Sequence, residues 1–405
     1  MQEFSKNQRK YAQSIVLGAL TGVGLVVVFA AGFIFRGFID LKSVNAASEV
    51  NGYPLLSEVQ GLINEHYLRE QPDFKEREYG AIRGMLAILN DRYTFFVDPP
   101  VAQSESDVLA GTYGGIGVQV KRSEQGNLTL YPFANSPAQA AGIEDGDTLL
   151  AINDTPIDIS YQADAIDQML RGEVKEGSGV SIGFKKWSSG EEKTVFIPFA
   201  VINVPSVVWR ILEDNPKIGY IQILIFTSRT PEELKSALTE LRESNIAALI
   251  LDLRNNSGGL LQESVLVASQ FVDGGVVVYE KNNQEEHALF AEQGGLATDL
   301  ALVVLVNQGT ASAAELVAGA IRDRDRGILI GQTTFGKGTV QRIYRLSDDS
   351  SLHITSAEWL TPKRQHLEED GLQPTIEMIP DANGRDVELG EAIRYLEQLL
   401  LQNQE

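Results

Sequence analysis

Three short apolar runs restrict this chain more than any other feature: residues 248–251 (ALIL), 302–306 (LVVLV) and 328–330 (ILI). Each lacks a polar face and is too short for a helix, which suits strands buried on both sides. Between them lie helical patterns. Thr230 and Pro231 open one, with proline in the first turn. Leu316, Val317, Ala320 and Ile321 repeat at the spacing of one buried helix face. Strand–helix alternation of this kind predicts an α/β layered core, expected over residues 201–380.

Two side chains in this core carry chemical potential. Ser312 stands where a helix begins, and Ser312 with Glu315 fits the capping box, a common structural device at helix starts. A helix N-terminus also favours developing negative charge, so a cap and a nucleophile are not exclusive. Lys337 lies between Gly336 and Gly338, beside the strand-like residues 339–344. It reads equally as an exposed turn lysine or as a base whose pKa burial has lowered. In an extended segment Lys337, Thr339 and Gln341 share one face, so Gln341 could bond the lysine without adding charge.

Asn307, Gly309, Thr310, Ala311, Ser312, Ala313 and Glu315, followed by Gly331, Thr334, Phe335, Gly336, Lys337, Gly338, Val340 and Gln341, form two long ordered patterns. They resemble those of the C-terminal processing peptidases (tail-specific proteases), serine endopeptidases with a Ser/Lys dyad. The resemblance covers nearly all of residues 50–380. It implies Ser312 as nucleophile, Lys337 as general base and Gln341 as the residue orienting the lysine, on a ClpP/crotonase-like core. In the same family the turn at Asn255, Asn256, Ser257, Gly258 and Gly259 supplies an oxyanion amide, from Gly258 or Gly259, with Ala313 as second donor. Ser257 replaces the family's usual proline, and Thr375 its usual aspartate. Arg254 reads as structural.

Residues 111–200 change character. Gly114, Gly115, Ile116, Gly117 and Val118 form a glycine-rich loop, and Ser136, Pro137, Ala138, Gly142, Gly146 and Asp147 follow. This looks like a mostly β PDZ domain, in which loop amides receive a terminal carboxylate and the peptide adds as an edge strand. A phosphate cradle would need the GxxxxGK[ST] spacing, which is missing here.

The formal net charge of −21 argues against a nucleic-acid partner. The chain has no cysteine, which removes disulfides, thiolate catalysis and a lipoprotein anchor, and its four histidines show no zinc-ligand spacing. No metal or organic cofactor is expected. Residues 11–35 contain no charge, and about 20 apolar residues suffice to cross a bilayer core. Lys6, Arg9 and Lys10 precede them, predicting a cytoplasmic N-terminus (residues 1–10) and a body outside the plasma membrane, in the periplasm or at the cell exterior. A cleavable signal peptide ending near residues 44–47 competes. The apolar run exceeds the usual signal core, so a retained single-pass transmembrane helix is expected.

Residues 49–110 predict a helical N-terminal region with stripes at Leu55, Leu56, Val59, Leu62 and Ile63, then at Ile82, Met85, Leu86, Ile88 and Leu89. A structural or oligomeric role is expected for it. Asp91, Tyr93 and Thr94 end its second helix and resemble a family stretch. Residues 384–405 predict a charged C-terminal helix with Leu389, Ile393, Leu396 and Leu399 on one face, to dock on the core or on a second subunit. The expected function is a membrane-anchored serine endopeptidase recognising protein C-terminal tails. Substrate proteins are its expected partners; a homodimer and an activator or adaptor protein are left open. Two rivals stand beside this reading: a catalytically idle PDZ scaffold, and a Ser-His-Asp hydrolase using His353 with Asp348 or Asp349. The second lacks any GxSxG elbow.

Overall fold

The computed structural model describes residues 53–122, 127–158, 161, 163–381 and 384–402. The expected membrane helix at residues 11–35 and the cleavage site near 44–47 lie outside them. Among the described residues no helix is long and apolar enough to cross a membrane. The chain divides into two compact units, Met1–Arg77 and Glu78–Glu405. In the first, the helix Pro54–His66 buries none of its side chains. Its predicted stripe is exposed at Leu55, Leu56, Val59 and Leu62.

The second unit is built on a six-stranded sheet ordered Val207–Leu212, Asn215–Ile223, Ala248–Asp252, Ala301–Val306, Ile328–Gly331 and Ile376–Glu377. The first pair is antiparallel and all later pairs are parallel. Side chains alternate between the faces. Leu249, Leu251, Val304 and Val306 pack with residues of the helices Thr230–Glu243, Leu261–Ala268 and Ala313–Asp323. Ala248, Ile250, Val303 and Leu305 face Ala392 and Leu396 of the helix Val387–Gln402. Crossover helices on one face carry the strand order steadily across the sheet, as right-handed connections require. The C-terminal helix therefore docks on the core, one of the two positions its stripe allowed.

A charged cluster fastens that helix. Arg254 pairs with Asp252 at 2.6 Å and with Asp386, just before the helix, at 2.7 Å. Tyr220 donates to Asp252 at 2.7 Å. Burial and the neighbouring Asp252 push the tyrosine's pKa far up. Asp252 is 1% exposed, so Arg254→Ala strands a buried carboxylate. A stability loss of about 3–5 kcal/mol is expected, read as a lower denaturant midpoint.

A second, five-stranded antiparallel sheet places Ser351–Leu360 between Thr339–Arg345 on one side and Phe95–Val97 and Val276–Lys281 on the other. The stretch read as purely helical thus also supplies the strand Phe95–Val97. Alternation is too short over three residues to stand out in sequence. The third large sheet, ordered Val118–Arg122, Leu128–Pro132, Thr148–Ile152, Gly179–Lys185 and Glu192–Pro198, encloses its own core around Leu130, Ile152, Ile182 and Ile197. A two-stranded pair, Thr112–Gly115 with Ala200–Asn203, closes this β module at its base.

Candidate active site

Ser312 lies beyond the carboxyl end of Ala301–Val306, at the crevice where open α/β sheets bind ligands. It turns the chain into the helix Ala313–Asp323 with φ 55° and ψ −120°, a region costly for a residue with a Cβ. Such strain is worth about 1–3 kcal/mol and persists only where the surroundings enforce it. Here Thr310 Oγ1 donates to Leu253 O at 2.8 Å, and Ala311 N–H donates to Asn256 O at 2.9 Å. Both bonds stitch the elbow to the glycine turn beside it. A Cβ on Gly258 (φ 105°) would come within 2.8 Å of Ser312 Cβ, so only glycine allows this approach.

The glycine turn also sorts the oxyanion candidates. Gly258 N–H is taken by Asn256 Oδ1 at 2.9 Å. Gly259 lines the cavity, and among the described residues its N–H has no acceptor. Ala313 lines the same cavity as the first residue of its helix, where amides have no intrahelical partner. Gly259 and Ala313 are the pair open to a ligand.

Glu315, fully buried, does more than the capping box required. One oxygen accepts from Ser312 N–H at 2.8 Å and Lys337 N–H at 3.0 Å. The other accepts from Thr334 Oγ1 at 2.5 Å and Gly336 N–H at 2.7 Å. A single carboxylate thus joins the serine elbow to the lysine loop. The helix-cap spacing placed Glu315 at its first bond; the other three come from a loop that only folding brings near.

Lys337 is half-buried, and its amine donates to Gln341 Oε1. Burial, the largest influence, lowers its pKa below the ordinary lysine value, against Glu368 and Glu315, which raise it. Gln341 Nε2 donates onward to Tyr93 O at 2.5 Å. Simple alternation does not produce this geometry. Lys337 precedes the strand Thr339–Arg345, and a register shift between Val340 and Gln341 re-aims the glutamine, as bulges do. Thr339, Val340 and Gln341 consequently all line one cavity.

That cavity, about 670 Å³, holds Ser312, Ala313, Gly259, Lys337 and Gln341. Its walls are largely apolar: Val101, Val108, Leu260, Ile343 and Trp359 contribute. Residues of the helix Pro99–Ala110 therefore line the site, although their spacing reads only as a helix face. His353 also lines the cavity, but its ring stacks on Phe95 and its Nε2 lies 3.1 Å from Glu105. Asp349 pairs with Arg345, and Asp348 accepts from Ser350. These pairings do not build the Ser-His-Asp alternative.

In the β module, Gly114 and Gly115 belong to the strand Thr112–Gly115 and pair with Ala200 and Val201. Ile116 is buried, its N–H directed at Leu170 O at 3.4 Å. Gly117 takes φ 70°, and Val118 begins the outermost strand of its sheet. An outermost strand has one side available for a further strand to pair.

The pattern of peptidase family S41 matches residues 217–378, and that of PDZ domains residues 133–176. A carboxyl-terminal-processing protease of Picosynechococcus is 34% identical over 322 residues, covering 79% of this chain and 77% of its own. The carboxy-terminal processing protease of Bacillus subtilis is 32% identical over 380 residues, 93% of this chain and 78% of that one. A Bacteroides fragilis structure described as an S41 protease shares the fold, with TM-score 0.51 at 17% identity over 82% of this chain and 92% of that one.

Proposed function

Since the chain belongs to the carboxyl-terminal-processing proteases, serine peptidases of family S41 with a PDZ domain, we propose that Ser312 and Lys337 form its catalytic dyad and that the PDZ domain selects protein C-terminal tails. The observation that carries this reading is one cavity shared by a strained serine elbow and a half-buried lysine bonded to a neutral partner. A lysine is useful as a base only when uncharged, and burial beside an amide rather than a carboxylate favours that form.

Ser312 Oγ attacks the scissile carbonyl carbon while Lys337 Nζ takes its proton. Gly259 and Ala313 amides donate to the oxyanion, each such donor being worth about 3 kcal/mol in the transition state. Collapse breaks the C–N bond, and the leaving amine takes the proton from Lys337. Water then attacks the acyl ester, giving a proton to Lys337; collapse breaks the C–Oγ bond, and Lys337 returns that proton to Ser312 Oγ as the carboxylic acid leaves. Tail recognition uses the loop at Ile116 and Gly117 and the outermost strand opened by Val118. The uncharged residues 11–35, following Lys6, Arg9 and Lys10, support membrane anchorage with the peptidase outside the cytoplasm.

The test follows the full chain in detergent cleaving an unfolded protein that ends in an apolar tail, against the same protein ending in two aspartates. Cleavage on the order of tenfold faster for the apolar tail is expected, absent in Ser312→Ala. Tail binding without cleavage by the unmutated chain would overturn the peptidase reading in favour of a scaffold.

A further inference from the structure

We propose that the turn at residues 91–94 is a positioning element for the catalytic base: the Tyr93 carbonyl fixes the orientation of Gln341, and the Tyr93 ring keeps the Lys337 amine dry. The inference rests on the Ser312/Lys337 dyad.

The orientation of Gln341 is not a free choice. Its side-chain amide has a donating and an accepting end, and Tyr93 O can only accept. Nε2 must therefore face Tyr93, at 2.5 Å, which turns Oε1 toward Lys337 Nζ. Reversed, the amide would donate into the lone pair of a neutral lysine and quench it as a base. With Oε1 toward it, Nζ donates one N–H to the glutamine in a hydrogen bond and keeps its lone pair for Ser312. A main-chain carbonyl outside the central core thus decides whether the lysine can work.

The same residue covers the amine. The Tyr93 ring centroid lies 5.1 Å from Nζ. It is the apolar ring, and not the hydroxyl, that is set against the amine. The turn itself is clamped. Asp91 accepts from Tyr93 N–H at 2.9 Å and Thr94 Oγ1 at 2.6 Å. Thr94 Oγ1 accepts from Thr355 N–H at 3.1 Å, and Thr355 is the strand partner of Gln341. Arg92 lies 4.6 Å from the Tyr93 ring and pairs with Glu368 at 3.1 Å. Glu368 accepts from Gly338 N–H, next to the lysine, at 2.9 Å.

The charged and titratable groups around Lys337 are Glu315 and Glu368, with Arg92 and Tyr93 beyond the amine. Removing the ring deletes a cation–π attraction but admits water. Burial is the largest influence on this lysine, so regained hydration prevails and the ammonium form gains. The acidic limb of activity must then move to higher pH.

The test is the pH profile of kcat/KM for the full chain carrying Tyr93→Phe, Tyr93→Ala, Tyr93→Leu or Lys337→Ala. Tyr93→Phe is expected to stay within about twofold of the unmutated chain, with its limb in place. Tyr93→Ala is expected to displace the limb upward by about one pH unit, a tenfold loss at neutral pH that is regained in alkali. A limb left in place by Tyr93→Ala, or displaced by Tyr93→Phe, would overturn the proposal. Where the alanine variant does not fold, Tyr93→Leu carries the test: retaining an apolar cover, it should keep the limb, and displacement would overturn the role of the ring. Lys337→Ala separates the two levels. If it retains activity and the acidic limb, the dyad itself is wrong, whatever Tyr93 does.

Discussion

Lys337→Ala is expected to lower kcat/KM by about 10⁴-fold, with the folded population unchanged. The size follows from how dyads work. Positioned general bases contribute about 10²–10⁴-fold, and a serine without its base keeps only the residual help of binding and oxyanion donors. Lys337→Arg should fare no better. A guanidinium does not deprotonate in proteins, so it restores charge and length but no base. Hydrolysis of a tail-bearing protein at substrate below KM measures both. Retention of activity by the arginine variant would sink the base assignment, since a cation alone would then suffice. Retention by both variants would return His353 to consideration, because it shares the cavity and stands 3.1 Å from a carboxylate.

Glu315→Gln is expected to damage both fold and chemistry. The carboxylate accepts from Ser312 N–H, Lys337 N–H, Gly336 N–H and Thr334 Oγ1. Changing one oxygen to NH₂ sets a donor against two donors in a fully buried site. Unmatched buried groups of this kind cost about 3–5 kcal/mol when an ionic acceptor is lost. Relief requires the elbow and the lysine loop to separate, and a misplacement of about 1 Å costs about 10²-fold in rate. Denaturant midpoint and kcat should therefore fall together. A lower midpoint with unchanged kcat would make Glu315 a structural tie only.

How much of this was legible in the sequence differs by length scale. The apolar runs at residues 248–251, 302–306 and 328–330 needed no context, because strands covered on both faces have no polar side to confuse them. Ser312, Lys337 and Gln341 were found through long motifs, and they meet at one cavity. The motif gave Gly258 and Gly259 equal standing as oxyanion donors; only a bond from Gly258 to Asn256 separates them. Tyr93 was hidden for a different reason. The carbonyl that meets Gln341 is one every residue possesses, and the ring that covers the lysine reads in sequence as ordinary packing at a helix end. The wall supplied by Val101, Val108 and Phe95 was equally silent, since a stripe that lines a cavity reads like a stripe that fills a core.

The elbow bearing Ser312 ends a strand of the six-stranded sheet, whereas Lys337 leads into a strand of the five-stranded one. Their alignment is thus a property of two layers in register, like the teeth of a clutch. Sliding one layer against the other would open the gap between Ser312 and Lys337 without breaking a strand pair in either sheet. The bridge through Glu315, the bond from Phe335 N–H to Thr310 O and the bond from Lys363 N–H to Asp323 are among the ties that resist that slip. Register between the layers is therefore shared by fold and chemistry: a slip shows in the melting curve as well as in turnover, because the ties that set the alignment also hold the layers together.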